Sequence, residues 1–200
     1  MTSHLRDSYV SRETEIAIQK YVDELLHWNK SIRLTSANFA YDIRTSYPIE
    51  QYQFSKDVTA DTVWADIGSG SGVPGVLIAI ANPKLQYFFL IESDARKSSF
   101  LRSLKRKLNL GYEVINKRAE DSKHIDATVI SARAVAPLTK LLEISYGVMS
   151  RNGKCLFIKG SNWKVEHEAA RNDWNYDLTW NALGDDGTVL LQLRNIDPIT

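Results

Sequence analysis

An α/β fold built on a mostly parallel, doubly wound sheet is predicted by three observations. From Thr62 onward, short apolar runs alternate with buried or amphipathic helical stretches. The first run, Thr62–Ile67, opens directly into a glycine-rich turn. The last two runs, Asn175–Trp180 and Thr188–Arg194, have no long helix between them, so the sheet should end in an antiparallel hairpin. Repeated strand–helix units lay parallel strands side by side through right-handed crossovers.

Residues 1–57 read as a small helical cap and 58–200 as the sheet domain. Ser11 is placed to cap a helix. Ile18, Tyr21, Val22, Leu25, Leu26 and Asn29 then follow at helical spacing, apolar at all but the last. Trp28 closes that face, and one further short helix is expected between Ser31 and Asp57. After the Thr62–Ile67 strand, Val73–Ala81 reads as a buried helix. Pro74 lies in its first turn, where a missing N–H costs nothing, and Asn82-Pro83 stops it. Gln86–Ile91 is continuously apolar, as central parallel strands are. Ala95–Leu108 is amphipathic, with Phe100, Leu101, Leu104 and Leu108 on one side, and Asn109–Gly111 ends it. Tyr112–Asn116 and Ala127–Ser131 are further strands, and Leu138–Met149 is a helix. Arg151-Asn152-Gly153 is a turn before the Lys154–Lys159 strand, and Asp185-Asp186-Gly187 connects the final hairpin.

Composition narrows the class. At 200 residues, with 44% hydrophobic and 24% charged residues, the chain matches globular averages. It is long enough to bury a core without staples. The single cysteine, Cys155, cannot form an intramolecular disulfide, and no Cys/His spacing suits zinc, so no metal is expected. No apolar run approaches the ~18 residues of a membrane span, and the N-terminus lacks the apolar core of a signal peptide. A soluble, cytoplasmic protein is expected. The net charge is +1, but Asp94–Arg118 carries eight basic residues against two acids. A basic patch on a nearly neutral protein fits contact with a polyanion, or a merely solvated helix face.

The strongest local signal is Asp66-Ile67-Gly68-Ser69-Gly70-Ser71-Gly72-Val73-Pro74-Gly75, between a strand and a helix. Gly70, Gly72 and Gly75 match the dinucleotide spacing; Gly68, Gly70 and Gly72 match the alternating glycines of a methyl-donor loop. Three features favour S-adenosylmethionine over a nicotinamide dinucleotide. Asp66 could face the donor's ammonium, directly or through water, but would repel a pyrophosphate. The chain after the fifth strand forms a hairpin, not a second mononucleotide-binding half. There is also little room for a separate substrate domain. Glu92, at the end of the second strand, suits ribose hydroxyls in either kind of site.

These residues resemble the bacterial 16S ribosomal RNA guanine-N7 methyltransferases of the GidB type. The resemblance rests on Trp28-Asn29-Lys30 with Leu34-Thr35, then Asp66–Gly75 and Ile91-Glu92-Ser93. Arg96-Lys97, Phe100-Leu101-Arg102 and Arg118-Ala119-Glu120 continue it. Ala132-Arg133-Ala134-Val135-Ala136-Pro137-Leu138 and Ile158-Lys159-Gly160 are its most specific parts. It implies a class I S-adenosylmethionine-dependent methyltransferase fold, Rossmann-like, with an N-terminal helical cap. It implies that Gly68 and Val73 line the donor pocket, with Glu92 at the ribose and Ala119-Glu120 at the adenine. Arg133 would lie where the methionine end meets the substrate. Lys159, with the basic helix carrying Arg96 and Lys97, would face 16S ribosomal RNA or the small subunit. The chain departs from the family at Arg44-Thr45-Ser46-Tyr47-Pro48-Ile49-Glu50, where the family usually has Arg-His-x-x-Asp-Ser-Leu.

Guanine N7 carries an in-plane lone pair, so methylating it removes no proton and requires no general base. That matches a chain whose His4, His27, His124 and His167 are scattered and whose Cys155 sits in an apolar strand. Two other readings stay open on the residues alone: a nicotinamide-dependent oxidoreductase, and a non-catalytic S-adenosylmethionine-binding protein associated with RNA.

Overall fold

The computed structural model describes residues 11–36, 58–183 and 186–199. The short helix expected before Asp57 and the Arg44–Glu50 segment lie outside the described residues. The first helix, α1 (Arg12–Asn29), begins where Ser11 predicts, its hydroxyl accepting from Thr14 N–H at 3.2 Å. At its other end the Asn29 side chain accepts from Leu34 and Thr35 N–H and donates to Thr35 C=O. Those bonds explain why a polar residue ends the apolar face. Leu26, grouped with that face by spacing, is instead exposed.

The remaining elements are β1 (Val63–Ile67), α2 (Gly75–Ala81), β2 (Tyr87–Ile91), α3 (Ala95–Leu108), β3 (Glu113–Ile115), a 3-10 turn (Ala119–Asp121), β4 (Ala127–Arg133), α4 (Leu138–Val148), β5 (Met149–Lys159), α5 (Trp163–Ala170), β6 (Trp174–Ala182) and β7 (Val189–Pro198). The sheet order is β3-β2-β1-β4-β5-β7-β6. Pairings from β3 to β5 are parallel; β5–β7 and β6–β7 are antiparallel. The doubly wound sheet ending in a reversed hairpin is therefore present as read.

Three details differ from the expectation. The α2 helix starts at Gly75, with Pro74 at its cap position. The expected turn at Arg151–Gly153 is an irregularity inside β5. Ala127 pairs with Met149 but Val129 pairs with Lys154, so the intervening residues of β5 bulge out. The α5 helix and the 3-10 turn went unread. At eight and three residues, both are too short to show a periodic apolar face.

Alternation along the strands divides the core between the two sheet faces. Trp64, Phe88, Leu90, Val129 and Leu156 pack under α1, α2 and α3. Ala65, Ile67, Ile91, Ile130 and Phe157 pack under α4 and α5. On the first side α1 joins the same core through Ile18, Tyr21, Val22 and Leu25. Trp28 stacks at a tilt on Phe100, their ring centroids 5.7 Å apart, and Lys107 of α3 pairs with Glu24 at 2.6 Å. Most important for the site, the buried Tyr21 hydroxyl donates to the Ser71 carbonyl at 2.8 Å, tying α1 to the glycine turn. Replacing Tyr21 with Phe is expected to lower stability by about 1 kcal/mol, the usual net value of one such bond. Urea denaturation checks it: the midpoint should fall with the slope unchanged.

Candidate functional site

The parallel strands end together at one rim, and the glycine turn leaves β1 there. Gly68 and Ser69 N–H both donate to the Ile91 carbonyl, so the turn folds over the end of β2. Gly68, Gly70 and Gly72 have φ of +65°, +48° and +94°. Gly75 lies inside α2, packed against Leu90 and Asp66. The alternating register is thus the one on which the backbone makes its demand. At Gly70 a side chain would combine a left-handed backbone with a position beside the Glu92 carboxylate. At Gly68 an added Cβ would lie 2.6 Å from a Val135 methyl, so the Ala134–Pro137 segment rests on the turn.

Glu92, nearly buried, holds the floor of this rim. One carboxylate oxygen accepts from Gly70 N–H at 2.9 Å and the other from Asp94 N–H at 2.7 Å. Each oxygen keeps a further lone-pair direction for a ligand hydroxyl. Ser98 Oγ and Asn116 Nδ2 donate to the Glu92 carbonyl, fixing its backbone from two sides. Asp94 caps α3, accepting from Arg96 and Lys97 N–H; these N–H donors hold its carboxyl below the usual range.

Asp66, which the sequence reading aims at the donor's ammonium directly or through water, is completely buried beneath the turn. Ser131 Oγ donates to its Oδ1 at 2.6 Å, and Trp64 Nε1–H donates to Ser131 Oγ at 2.9 Å, a buried relay linking β1 and β4. Its Oδ2 has no hydrogen-bond partner and lies against Gly75. Burial pushes the carboxyl up to about 7, against the opposing hydrogen bond from Ser131. Asp66 therefore braces the turn from below.

Ala119 is buried at the start of the 3-10 turn after β3, with Glu120 exposed beside it. Val73 is buried just before α2. Arg133 ends β4, and Ala134 follows in a left-handed conformation at φ +51°, a strain on the order of 1–3 kcal/mol for a non-glycine residue. Arg133 charge reaches Asp186 in the β6–β7 connection. The Thr188 N–H and hydroxyl, and more weakly Arg133, hold that carboxyl below its ordinary value.

Lys159 departs from expectation. The resemblance implies that it faces RNA, but only 8% of its side chain is exposed. Its ammonium is bound to Glu166 of α5 at 2.6 Å and to the Ala136 carbonyl at 2.9 Å. Glu166 in turn accepts from Leu138 N–H at 2.8 Å. A buried ammonium needs such partners, and Glu166 was missed because it lies on the unread α5. By contrast Arg96 is open, its side chain 74% exposed and 3.8 Å from Asp94; Lys97 is half-buried. Arg102 and Arg106 extend the exposed basic face of α3.

Among the described residues, no cluster of His, Cys, Asp and Glu could hold a metal, and no helix is long and apolar enough to cross a membrane. Apart from Arg96 and Lys97 on α3 and Ala119–Glu120 in the 3-10 turn after β3, the residues the sequence singled out separate into three groups. Gly68, Gly70, Gly72, Val73 and Glu92 stand at the rim. Arg133 flanks it, and Asp66 and Lys159 support it from inside.

Two outcomes follow from this geometry. Asp66→Asn removes an acid whose folded pKa, about 7, exceeds its ordinary 3.8. The native state then holds the extra proton between these values, so the wild type should lose stability relative to the variant as pH rises from about 4 to about 7, by on the order of a few kcal/mol. Paired denaturation curves across that range check it. Gly70→Val should abolish binding of S-adenosylmethionine while leaving a folded protein. Calorimetric titration reads the first and circular dichroism the second.

The family model for GidB, rRNA small subunit methyltransferase G, matches residues 14–182. Relatives named Ribosomal RNA small subunit methyltransferase G include one from Ruegeria pomeroyi, 36% identical over 193 residues and covering 94% of each chain. Another, from Cereibacter sphaeroides, is 37% identical over 191 residues and covers 92% of each chain. Among solved structures, TYW2 from M. jannaschii in complex with AdoMet aligns with a TM-score of 0.58 at 14% identity, over 85% of this chain and 80% of that one. The tRNA methyltransferase TrmI from Aquifex aeolicus aligns at 0.60 and 12% identity, over 90% and 76%. At such low identity these two establish the class I methyltransferase fold and nothing finer. The alternating glycine turn, the reversed hairpin and a match running through almost the whole chain leave no place for the nicotinamide alternative: the chain belongs to the GidB family, rRNA small subunit methyltransferase G.

Proposed function

We propose that this protein transfers a methyl group from S-adenosylmethionine to N7 of a guanine in 16S ribosomal RNA, acting in the cytoplasm on the RNA or the small subunit. The observation that carries the reading is the rim at the ends of β1 and β2, where a turn of three positive-φ glycines is tied through Gly70 N–H to the Glu92 carboxylate. The residues fit the donor. At Gly70 a side chain would stand against Glu92 on a left-handed backbone, and Glu92 offers acceptors for a ribose. Ala119 and Glu120 flank the position of an adenine, and Gly68 and Val73 line the inner wall. Bound S-adenosylmethionine supplies the methyl group as an electrophilic sulfonium.

The chain's own residues position and do not move protons. A guanine N7 accepts a methyl with its lone pair, so no base is needed. Cys155 is buried within β5 and its thiol is pushed up to about 12. His167 is bonded to the Tyr176 hydroxyl at 2.8 Å on the far side of α5. Neither forms a nucleophile–base pair at the rim. Placement of two reactants can contribute ~7–11 kcal/mol, which is enough to be the main device here. Arg133 flanks the rim where donor and base would meet.

N7 lies on the major-groove edge, and that groove is too deep and narrow in A-form RNA to admit side chains. The target guanine is therefore in a loop, bulge or incompletely assembled region. The exposed basic face of α3, with Arg96, Lys97, Arg102 and Arg106, supplies salt-dependent attraction to the phosphate backbone.

The test incubates the protein with labelled S-adenosylmethionine and either free 16S RNA or small subunits, then maps the labelled nucleotide. Label on a guanine N7 supports the reading. Donor binding with no transfer to any substrate would favour the non-catalytic alternative. Arg133→Ala should lower kcat by ~10-fold or more with a stability change below ~1 kcal/mol. Equal loss of both would make the arginine structural.

A further inference from the structure

We propose that Glu166 is a positioning residue for methyl transfer. It acts through Lys159 to lock the Arg133–Leu138 loop against the donor turn. The inference rests on the methyl-transfer reading above.

The loop carries much of the site and little of its own support. It begins at Arg133, beside the rim, and turns immediately through a left-handed Ala134. Val135, one residue on, lies directly over Gly68. A strained non-glycine residue persists only where its surroundings over-determine it. Downstream of it, two side chains hold the loop backbone. The Lys159 ammonium, from the end of β5, donates to the Ala136 carbonyl at 2.9 Å. The Glu166 carboxylate, from α5, accepts from Leu138 N–H at 2.8 Å and from Lys159 at 2.6 Å. One ion pair thus grips the backbone on both sides of Pro137, on a carbonyl and on an N–H. Arg133, Val135 and the start of α4 are held in one arrangement.

The grip comes from the opposite wall of the sheet to α3. The hairpin tip adds to the same side, since Gly187 packs against Ser161, just after Lys159. Loosening the loop should therefore disturb donor placement without touching the basic surface that attracts RNA. A shift on the order of 1 Å in a positioning element can cost ~100-fold in rate.

The experiment measures kcat and separate KM values for S-adenosylmethionine and for RNA in Glu166→Ala, Glu166→Gln, Lys159→Met and the Lys159/Glu166 double variant, with melting curves for each. Glu166→Ala should lower kcat by ~10–100-fold and raise the donor KM, with the RNA KM unchanged. Glu166→Gln keeps an acceptor for Leu138 N–H and should recover most of the loss. Lys159→Met should show the same split, and the double variant should be no worse than the poorer single one. Three results overturn the proposal. The first is a loss of melting temperature alone, with kcat and both KM values kept. The second is additive losses in the double variant. The third is a raised RNA KM in Lys159→Met, which would put the ammonium on RNA. If the wild type fails to bind S-adenosylmethionine in a calorimetric control, the methyl-transfer reading itself fails, a result separate from all three.

Discussion

The Glu92 carboxylate is the joint on which the rim depends. It closes one bond to the glycine turn leaving β1 and another to the backbone that starts α3. Those two segments carry different tasks, one shaped for a small ligand and one bearing the basic helix. A single buried acid at the end of β2 sets the distance between them. Its own backbone is secured by Ser98 and Asn116, so the joint is anchored from both neighbouring elements. An acid in this position needs donors once it is desolvated, and backbone N–H groups meet that need without adding charge.

Around that joint the site is organised for placement. Its inner supports are the Trp64–Ser131–Asp66 relay below the turn and the Lys159–Glu166 pair behind the Arg133 loop. The first is closed off from solvent and the second only partly, through Glu166; burial in low dielectric strengthens each bond and punishes each omission. Neither offers a proton to a substrate. The chemistry assigned to the protein needs none, so the polar groups are spent on rigidity.

Most of this was legible along the chain. The mostly parallel sheet with its reversed terminal hairpin followed from alternating runs with short connections, and the methyl-donor loop followed from three glycines at alternate positions. The Ser11 cap and the Asn109 stop were readable because their side-chain chemistry is local. What could not be read was direction. Asp66 and Lys159 were identified as important, yet assigned to ligand and RNA, because spacing along a strand gives the residue but not which layer it enters. In β1 the alternation sends Asp66 to the α2 side, where Ser131 waits on a strand 65 positions away. Lys159 turns inward because Glu166 meets it from α5, an eight-residue helix with no periodic face to announce it. Partners distant in sequence, or carried on short elements, leave no local trace.

The bond from Tyr21 to Ser71 spans 50 positions, and synthesis runs from the N-terminus. An amphipathic helix of 18 residues draws most of its stability in a protein from the packing of its apolar face. Ile18, Val22 and Leu25 share a core with side chains of β1 and α2, which leave the ribosome later than α1. The nascent chain therefore passes through a stage in which this helix lacks its β1 and α2 partners, a stage that chaperones exist to guard. The turn that cups the small molecule reaches its final shape only when this earlier-made segment folds back onto it.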